Sequence, residues 1–295
     1  MTEMMEKRNQ RLREQLDARI ALRPPSVFDP VSARLAEHLG LPVGLLGGSV
    51  ASALILGAPD LALLTQTELV DQVRRTTSVG SLSLMVDGDH GYGNSLNVWR
   101  TVRELEQAGA SGIFLEETVL PAPFGATRLA LIDLVEMERK VAAATHARQR
   151  SSTVIVARTD ALRTREDRSK AVEDTRARVS AYARAGADAI LLIGVQEIGD
   201  VLAVRDVTDL PVLVGSPLPE SVSDEALREA GVSMVMRGHT PFVELVRSLY
   251  VSLSSYLPQS DGTRVDVPEA ADLLRIVTGA DSYDRLREQF LEEPR

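Results

Sequence analysis

Short apolar runs recur along the chain, separated by longer segments in which apolar residues return every three or four positions. The runs fall at residues 26–28, 43–46, 83–86, 112–115, 153–157, 189–192, 211–214 and 232–236. Most are continuous rather than alternating, which suits parallel strands covered on both faces. Helical periodicity marks residues 67–77, 96–107, 131–147, 169–184, 197–204, 225–229 and 240–257. Small-residue turns such as Ala108-Gly109-Ala110 and Ala185-Gly186-Ala187 stand between helix and strand, and Gly just past a helix suits a left-handed C-cap. Eight strand–helix units over residues 26–257 predict an α/β fold of the (β/α)8 barrel type. An open doubly wound sheet is the competing arrangement, but its G-x-G-x-x-G fingerprint is absent.

The segments outside the barrel are expected to be helical. Residues 1–25 form an arm whose charged first 22 residues read as a helix or a loose extension. Residues 258–295 hold a polar, Gly-containing linker, then two amphipathic helices at 268–277 and 282–292. The apolar faces of those helices must bury on this barrel or on a neighbouring subunit.

Composition narrows the function classes. The chain has 295 residues, 44% of them hydrophobic, and a formal net charge of −9. That charge argues against nucleic acid and anionic membrane as partners. No apolar run reaches membrane-spanning length and no signal-peptide pattern opens the chain, so a cytoplasmic protein is expected. With no Cys, disulfides, thiolate metal ligands and a cysteine acid or nucleophile are excluded.

The chemistry gathers at Asp87-Gly88-Asp89-His90-Gly91-Tyr92-Gly93-Asn94, directly after an apolar strand. In an extended chain Asp87 and Asp89 point the same way. Two like charges on a short rim repel unless a cation lies between them, and a divalent metal is the usual solution. In a barrel the site lies at the C-terminal ends of the strands. That rim presents Asp29, Gly47-Gly48-Ser49, Asp87 and Asp89, Glu116 and Glu117, Arg158 and Asp160, Gly194, Gly215-Ser216 and Arg237-Gly238-His239. Acids on neighbouring strands suit Mg²⁺ with several waters retained. A Gly-Gly-Ser turn and an Arg suit a carboxylate. Together they suit a small oxo-acid chelated to a Lewis-acidic metal.

The ordered set Gly47-Gly48-Ser49, Asp87 to Asn94, Leu115-Glu116-Glu117, Ala157-Arg158-Thr159 and Gly238-His239 resembles the isocitrate lyase/phosphoenolpyruvate mutase superfamily. Within it the chain is most similar to the oxaloacetate decarboxylase branch. The resemblance implies a barrel whose last helix is exchanged between subunits of a homo-oligomer, a dimer of dimers. It implies Mg²⁺, with Mn²⁺ as an alternative, held directly by Asp87 and through waters by Asp89 and Glu116. Gly47, Gly48 and Ser49 are implied to bind the carboxylate of a small 2-oxo acid, with Arg158 and His239 also contacting it. Asp60 is offered as a further acid near the metal. The implied reaction is decarboxylation: the C1 carboxylate and C2 carbonyl chelate the metal, CO₂ leaves, and Arg158 and His239 stabilise the enolate. A proton then returns to C3 from water or a nearby donor, with His90 and Tyr92 as the candidate side chains.

Two departures bear on the branch. The superfamily's cysteine-bearing lid motif is replaced by Leu120-Pro121-Ala122-Pro123-Phe124-Gly125, without Lys or Asn. Gly215-Ser216 stands where the decarboxylases tend to place a Tyr. A phosphonopyruvate- or carboxyphosphonoenolpyruvate-type mutase or hydrolase, a lyase of 2-substituted malates, and a barrel that binds without catalysis are the alternatives. Simpler roles stand beside the chemical ones: Asp29 as an N-cap with Pro30 at the first helical position, Glu116-Glu117 as acids at a helix start, Arg158 as a partner of Asp160 or Glu116, and His90 as structural.

Overall fold

Seven parallel strands follow one another around a single curled sheet, in the computed structural model that describes residues 2–215, 217–257 and 266–292. They are β1 (Val43–Leu46), β2 (Ser83–Asp87), β3 (Gly112–Glu116), β4 (Val154–Thr159), β5 (Ala189–Leu192), β6 (Val212–Gly215) and β7 (Val232–Met236). Ser216 and residues 258–265 of the expected linker lie outside the described residues.

The eighth strand, expected at 26–28, does not form as a strand. That segment makes only an isolated parallel bridge, Ser26 to Leu45. The chain just before it nevertheless joins the two edges of the sheet. Ala21 and Leu22 donate their N–H groups to Val232 and Ser233 on β7, at 2.9 and 3.0 Å. Farther on, Leu45 of β1 donates to the Pro25 carbonyl at 2.9 Å and Val27 donates to Leu45 at 2.8 Å. Arg23-Pro24-Pro25 lies between these contacts, and two successive prolines have no N–H to continue a ladder. The sequence therefore supplies a crossing segment where a regular strand was expected.

Side-chain alternation sorts the core into two shells. Val43, Leu45, Met85, Phe114, Val154, Val156, Leu191, Leu213, Met234 and Met236 form one cluster inside the curl. Their strand neighbours Leu46, Val86, Ile113, Leu115, Ile155, Ile190, Val214 and Val235 pack with the surrounding helices. Leu12 and Leu16, both essentially unexposed, belong to the inner cluster. They come from the helix Thr2–Asp17. Of the two readings of the first 22 residues the structure thus shows the helix, and it is packed against the inner sheet face.

Two further elements set the site. Helix Gly48–Leu56 starts immediately after β1; its GSVASALIL sequence is apolar almost all round, so it carries no helical periodicity to predict it. Helix Pro30–His38 is capped by Asp29, whose Oδ1 accepts the Ser32 N–H at 2.6 Å while the Ser32 hydroxyl accepts the Asp29 N–H. Asp29 therefore has a capping role.

The two terminal helices are Ala270–Thr278 and Ala280–Phe290. Ala270–Thr278 packs against Thr240–Ser254 and Gly48–Leu56 of the same chain, burying Leu273 and leaving Ile276 exposed. Among the described residues no helix is long and apolar enough to cross a membrane.

Candidate functional site

The acidic turn sits where β2 ends. Asp89 and Tyr92 both adopt positive φ (48° and 62°), with Gly91 and Gly93 doing the same. This tight path returns the Asp87 carboxylate onto the turn's own backbone, where Oδ1 accepts the Asp89 N–H at 3.2 Å. The Asp89 carbonyl then accepts the Glu116 N–H at 2.9 Å, fixing the turn to the end of β3. Gly88 permits this closeness: a Cβ there would lie 2.8 Å from the Phe114 carbonyl oxygen. Gly88→Ala is therefore expected to push the turn away from the end of β3.

Four carboxylates converge electrostatically here. Burial, then Asp87, pushes Asp60 up to about 6. Burial, then Asp87, Asp60 and Glu116, holds Asp89 well above the usual carboxylate range. Burial raises Glu116 to about 7 against the opposing pull of Arg158, with Asp87 and Asp160 adding to the rise. Arg158 is the positive charge felt by all three. Its Nη2 lies 2.8 Å from Glu116 Oε2, and its Nε donates to Asp160 Oδ2 at 2.9 Å. The Glu116–Arg158 pairing is built into the sheet, because the two residues are register partners on β3 and β4. Asp160, wholly buried, also accepts from Arg163 at 3.0 Å.

His239 closes the other side. Its Nδ1 lies 3.0 Å from the Ser26 hydroxyl on the crossing segment. Burial lowers its pKa, with Asp87 opposing, so the neutral imidazole is favoured. The ring lies against Gly47: a Cβ at that position would stand 2.4 Å from His239 Cε1 and 2.8 Å from Nε2. Gly47→Ala is therefore expected to displace His239. Misplacing a reacting group by about 1 Å costs on the order of 100-fold in rate. Steady-state kinetics with a thermal melt checks this: loss of rate in a stably folded variant is the expected outcome.

A cavity of about 180 Å³ lies between these groups. Gly47, Asp87, Arg158 and His239 line its polar side, while Phe114, Leu191, Ile193 and Met236 contribute an apolar wall. Gly215 also lines it, and Ile193 Cδ1 fills the space that a Cβ at 215 would need, at 2.2 Å.

Not every expected residue faces this cavity. Gly48 donates its N–H to Asp87 Oδ2 at 3.3 Å, and Ser49 lines an adjoining pocket shared with Asp60 and His239. Asp89, Glu116, His90 and Tyr92 do not line the cavity. The Tyr92 hydroxyl lies 3.4 Å from Asp89 Oδ2. Burial and the neighbouring Asp89 and Asp87 raise the Tyr92 pKa strongly, making it a poor proton donor. His90 is lowered by burial and by Lys140. Lys140 is buried on helix Leu134–Ala147 and donates to the His90 carbonyl at 3.1 Å. Ser26 and Lys140 are neighbours of these residues that local sequence does not reveal, because each reaches its partner only through the tertiary fold.

The donor chemistry fits a hard divalent cation. It is all oxygen, and several carboxylates face one guanidinium. Glu116 Oε2 is buried without an aligned hydrogen bond. Among the described residues no three acidic or histidine side chains are already gathered around one point. An ion here would keep several waters, as Mg²⁺ commonly does.

Comparison with known proteins follows the same lines. The phosphoenolpyruvate phosphomutase family model matches residues 12–255. An oxaloacetate decarboxylase from Rhodopseudomonas palustris (strain BisA53) is 42% identical, covering 96% of this chain and 97% of that protein. A crystal structure of 2,3-dimethylmalate lyase aligns with a TM-score of 0.74 at 25% identity, over 96% of this chain and 98% of that one. A phosphonopyruvate hydrolase in complex with oxalate and Mg²⁺ aligns with a TM-score of 0.70 at 26% identity, covering 97% and 99%.

Proposed function

The chain belongs to the phosphoenolpyruvate mutase/isocitrate lyase superfamily, and from that premise we propose that it is a carboxy-lyase that converts oxaloacetate to pyruvate and CO₂. The observation that carries this reading is Arg158, paired with Glu116, standing with Asp87 on the polar side of a cavity whose far wall is apolar. The 42%-identical relative that bears the decarboxylase name supports it. We read the curled sheet and its crossing segment as the (β/α)8 barrel.

Asp87 is the residue placed to hold Mg²⁺ directly, with Asp89, Glu116 and Asp60 around it through water. The bound ion supplies Lewis-acid polarisation of the substrate's C2 carbonyl. The chain's own groups do the rest. Arg158, anchored by Glu116 and Asp160, presents its guanidinium to the oxygen on which negative charge develops. The C3–C4 bond breaks, its electron pair moves into the enolate, and CO₂ leaves against the apolar wall of Leu191, Ile193 and Met236. That wall excludes water from the reacting carbons. In the tautomer in which Ser26 donates to Nδ1, His239 Nε2 carries the N–H and hydrogen-bonds the enolate oxygen, and C3 takes its proton from a water that enters as CO₂ departs.

The carboxylates tie metal binding to pH. As pH falls through about 7 and about 6, Glu116 and then Asp60 take up protons, which Mg²⁺ must displace. Calorimetric Mg²⁺ affinity is expected to weaken steadily down that window, with proton release on binding; affinity flat across it contradicts the assignment.

A panel of oxaloacetate, phosphonopyruvate and 2-substituted malates with Mg²⁺ or Mn²⁺ tests the activity. Pyruvate and CO₂ from oxaloacetate alone fit this reading; turnover confined to phosphonopyruvate or a malate replaces it with a mutase, hydrolase or malate-lyase reading. We further propose a homo-oligomer, a dimer of dimers with the terminal helices exchanged. Leu249, Leu253, Ile276 and Phe290, apolar yet half or more exposed on the outer helices, support this assembly.

A further inference from the structure

The ends of β3 and β4 make two contacts side by side. Glu116 pairs with Arg158, which lines the cavity. One residue farther along each strand, Glu117 and Thr159 pair toward the helix layer, with the Thr159 hydroxyl donating to Glu117 Oε1 at 2.6 Å. Alternating side-chain direction makes these the inner and outer faces of one junction.

Glu117 and Thr159 are wholly buried. The second oxygen of Glu117 accepts from Arg178 Nη1 at 2.9 Å and from the Tyr182 hydroxyl. Both partners come from helix Arg168–Arg184. A buried carboxylate is retained only when its charge and lone pairs are met, and here they are met from two elements.

The same residue roots the 118–131 loop beside the cavity. The Glu117 carbonyl accepts the Ile132 N–H at 2.8 Å, and Arg178 Nη1 reaches the Ile132 carbonyl at 3.3 Å. Between them Thr118 and Leu131 form an antiparallel bridge, and Val119 donates to Ala130 at 2.9 Å. Residues 121–124 and 126–130, in contrast, are exposed. The outgoing limb, the returning limb and the inner catalytic pair thus share one buried anchor.

We propose that Glu117 is a positioning residue: clamped by Arg178, Tyr182 and Thr159, it holds both limbs of the 118–131 loop and sets Glu116 against Arg158. It touches no substrate. Its removal loosens the loop's root and the inner pair together, leaving the cavity's lining chemically intact.

The test uses Glu117→Gln and, because a buried Gln facing Arg178 can hinder folding, Tyr182→Phe, which removes one hydroxyl from an otherwise unchanged ring. Two quantities are read in each variant. The first is the kcat and KM for oxaloacetate with Mg²⁺, an arm that rests on the decarboxylase reading. The second is the tryptic cleavage rate at Arg128 relative to cleavage elsewhere in the chain, which is independent of that reading. Loss of a supporting residue behind a catalytic group commonly costs about 10- to 100-fold. The proposal expects kcat to fall by that order with KM little changed, and selective acceleration at Arg128, more weakly in Tyr182→Phe. Unaltered kcat and unaltered relative cleavage at Arg128 in the folded variants, whatever the thermal midpoint, overturn it. If the parent does not turn over oxaloacetate, the activity reading fails, and the cleavage arm alone decides the role of Glu117.

Discussion

Asp87→Ala is expected to abolish metal-dependent turnover while leaving the chain folded. Asp87 ends β2 and lines the cavity, and its carboxylate is the acid shared among its neighbours: it raises Asp60, Asp89 and Glu116 and opposes the lowering of His239. Lewis-acid activation is worth several kcal/mol, and each 1.36 kcal/mol is tenfold in rate, so the loss is on the order of 1,000-fold or more. The fold is spared for an electrostatic reason. Without a metal, Asp87 adds repulsion to a cluster that is already overcharged. The metal-free variant is therefore expected to melt at or above the temperature of the metal-free parent. Addition of Mg²⁺ should raise the melting temperature of the parent and not of the variant. Differential scanning calorimetry with and without Mg²⁺ reads this directly, and a variant that retains full Mg²⁺-dependent activity removes Asp87 from the site.

Arg158→Met carries the second large effect, with the opposite sign on stability. The guanidinium is the partner of both Glu116 and Asp160, and Asp160 is completely buried. Removing one member of a buried pair costs about 3–5 kcal/mol because the other charge is left uncompensated. Rate suffers as well, by on the order of 100- to 1,000-fold, the range found for a lost donor to a developing oxyanion. The penalty has a pH signature. Glu116 has a folded pKa of about 7, above its unfolded value, even with Arg158 present; without Arg158 it rises further. Its charged form is thus destabilising above that pKa, and protonation relieves it below. The stability gap between parent and Arg158→Met should narrow as pH falls toward about 7 and owe no further change to Glu116 below it. A gap that stays constant across that window points to Arg158 acting through packing alone.

The strand–helix rhythm was readable because each strand is buried on both faces and so appears as an unbroken apolar run. Where that physics changes, so does legibility. The segment at 26–28 has a strand's composition, yet Pro24 and Pro25 remove the N–H groups a ladder needs. Helix Gly48–Leu56 is apolar on nearly all sides and leaves no periodic trace. Of the site, Asp87, Asp89, Glu116, Arg158 and His239 were visible because they lie at strand ends, where position alone assigns a face. The partners that position them were not. Ser26 meets His239 across 213 residues, Lys140 meets the His90 carbonyl across 50, and Arg178 meets Glu117 across 61. Such contacts are properties of the packed fold and have no local pattern. His90 and Tyr92, read as candidate proton donors from their place in the motif, follow a positive-φ backbone at Asp89 and Tyr92 and do not line the cavity. Asp87, Arg158 and His239 do line it.

The most direct measurement is the rate at which the Mg²⁺-loaded protein converts oxaloacetate to pyruvate and CO₂, set against the same free Mg²⁺ concentration without protein. Decay well above the metal-only rate, lost in Asp87→Ala, is the predicted result. Oxaloacetate that decays no faster with the protein than with Mg²⁺ alone contradicts the assignment.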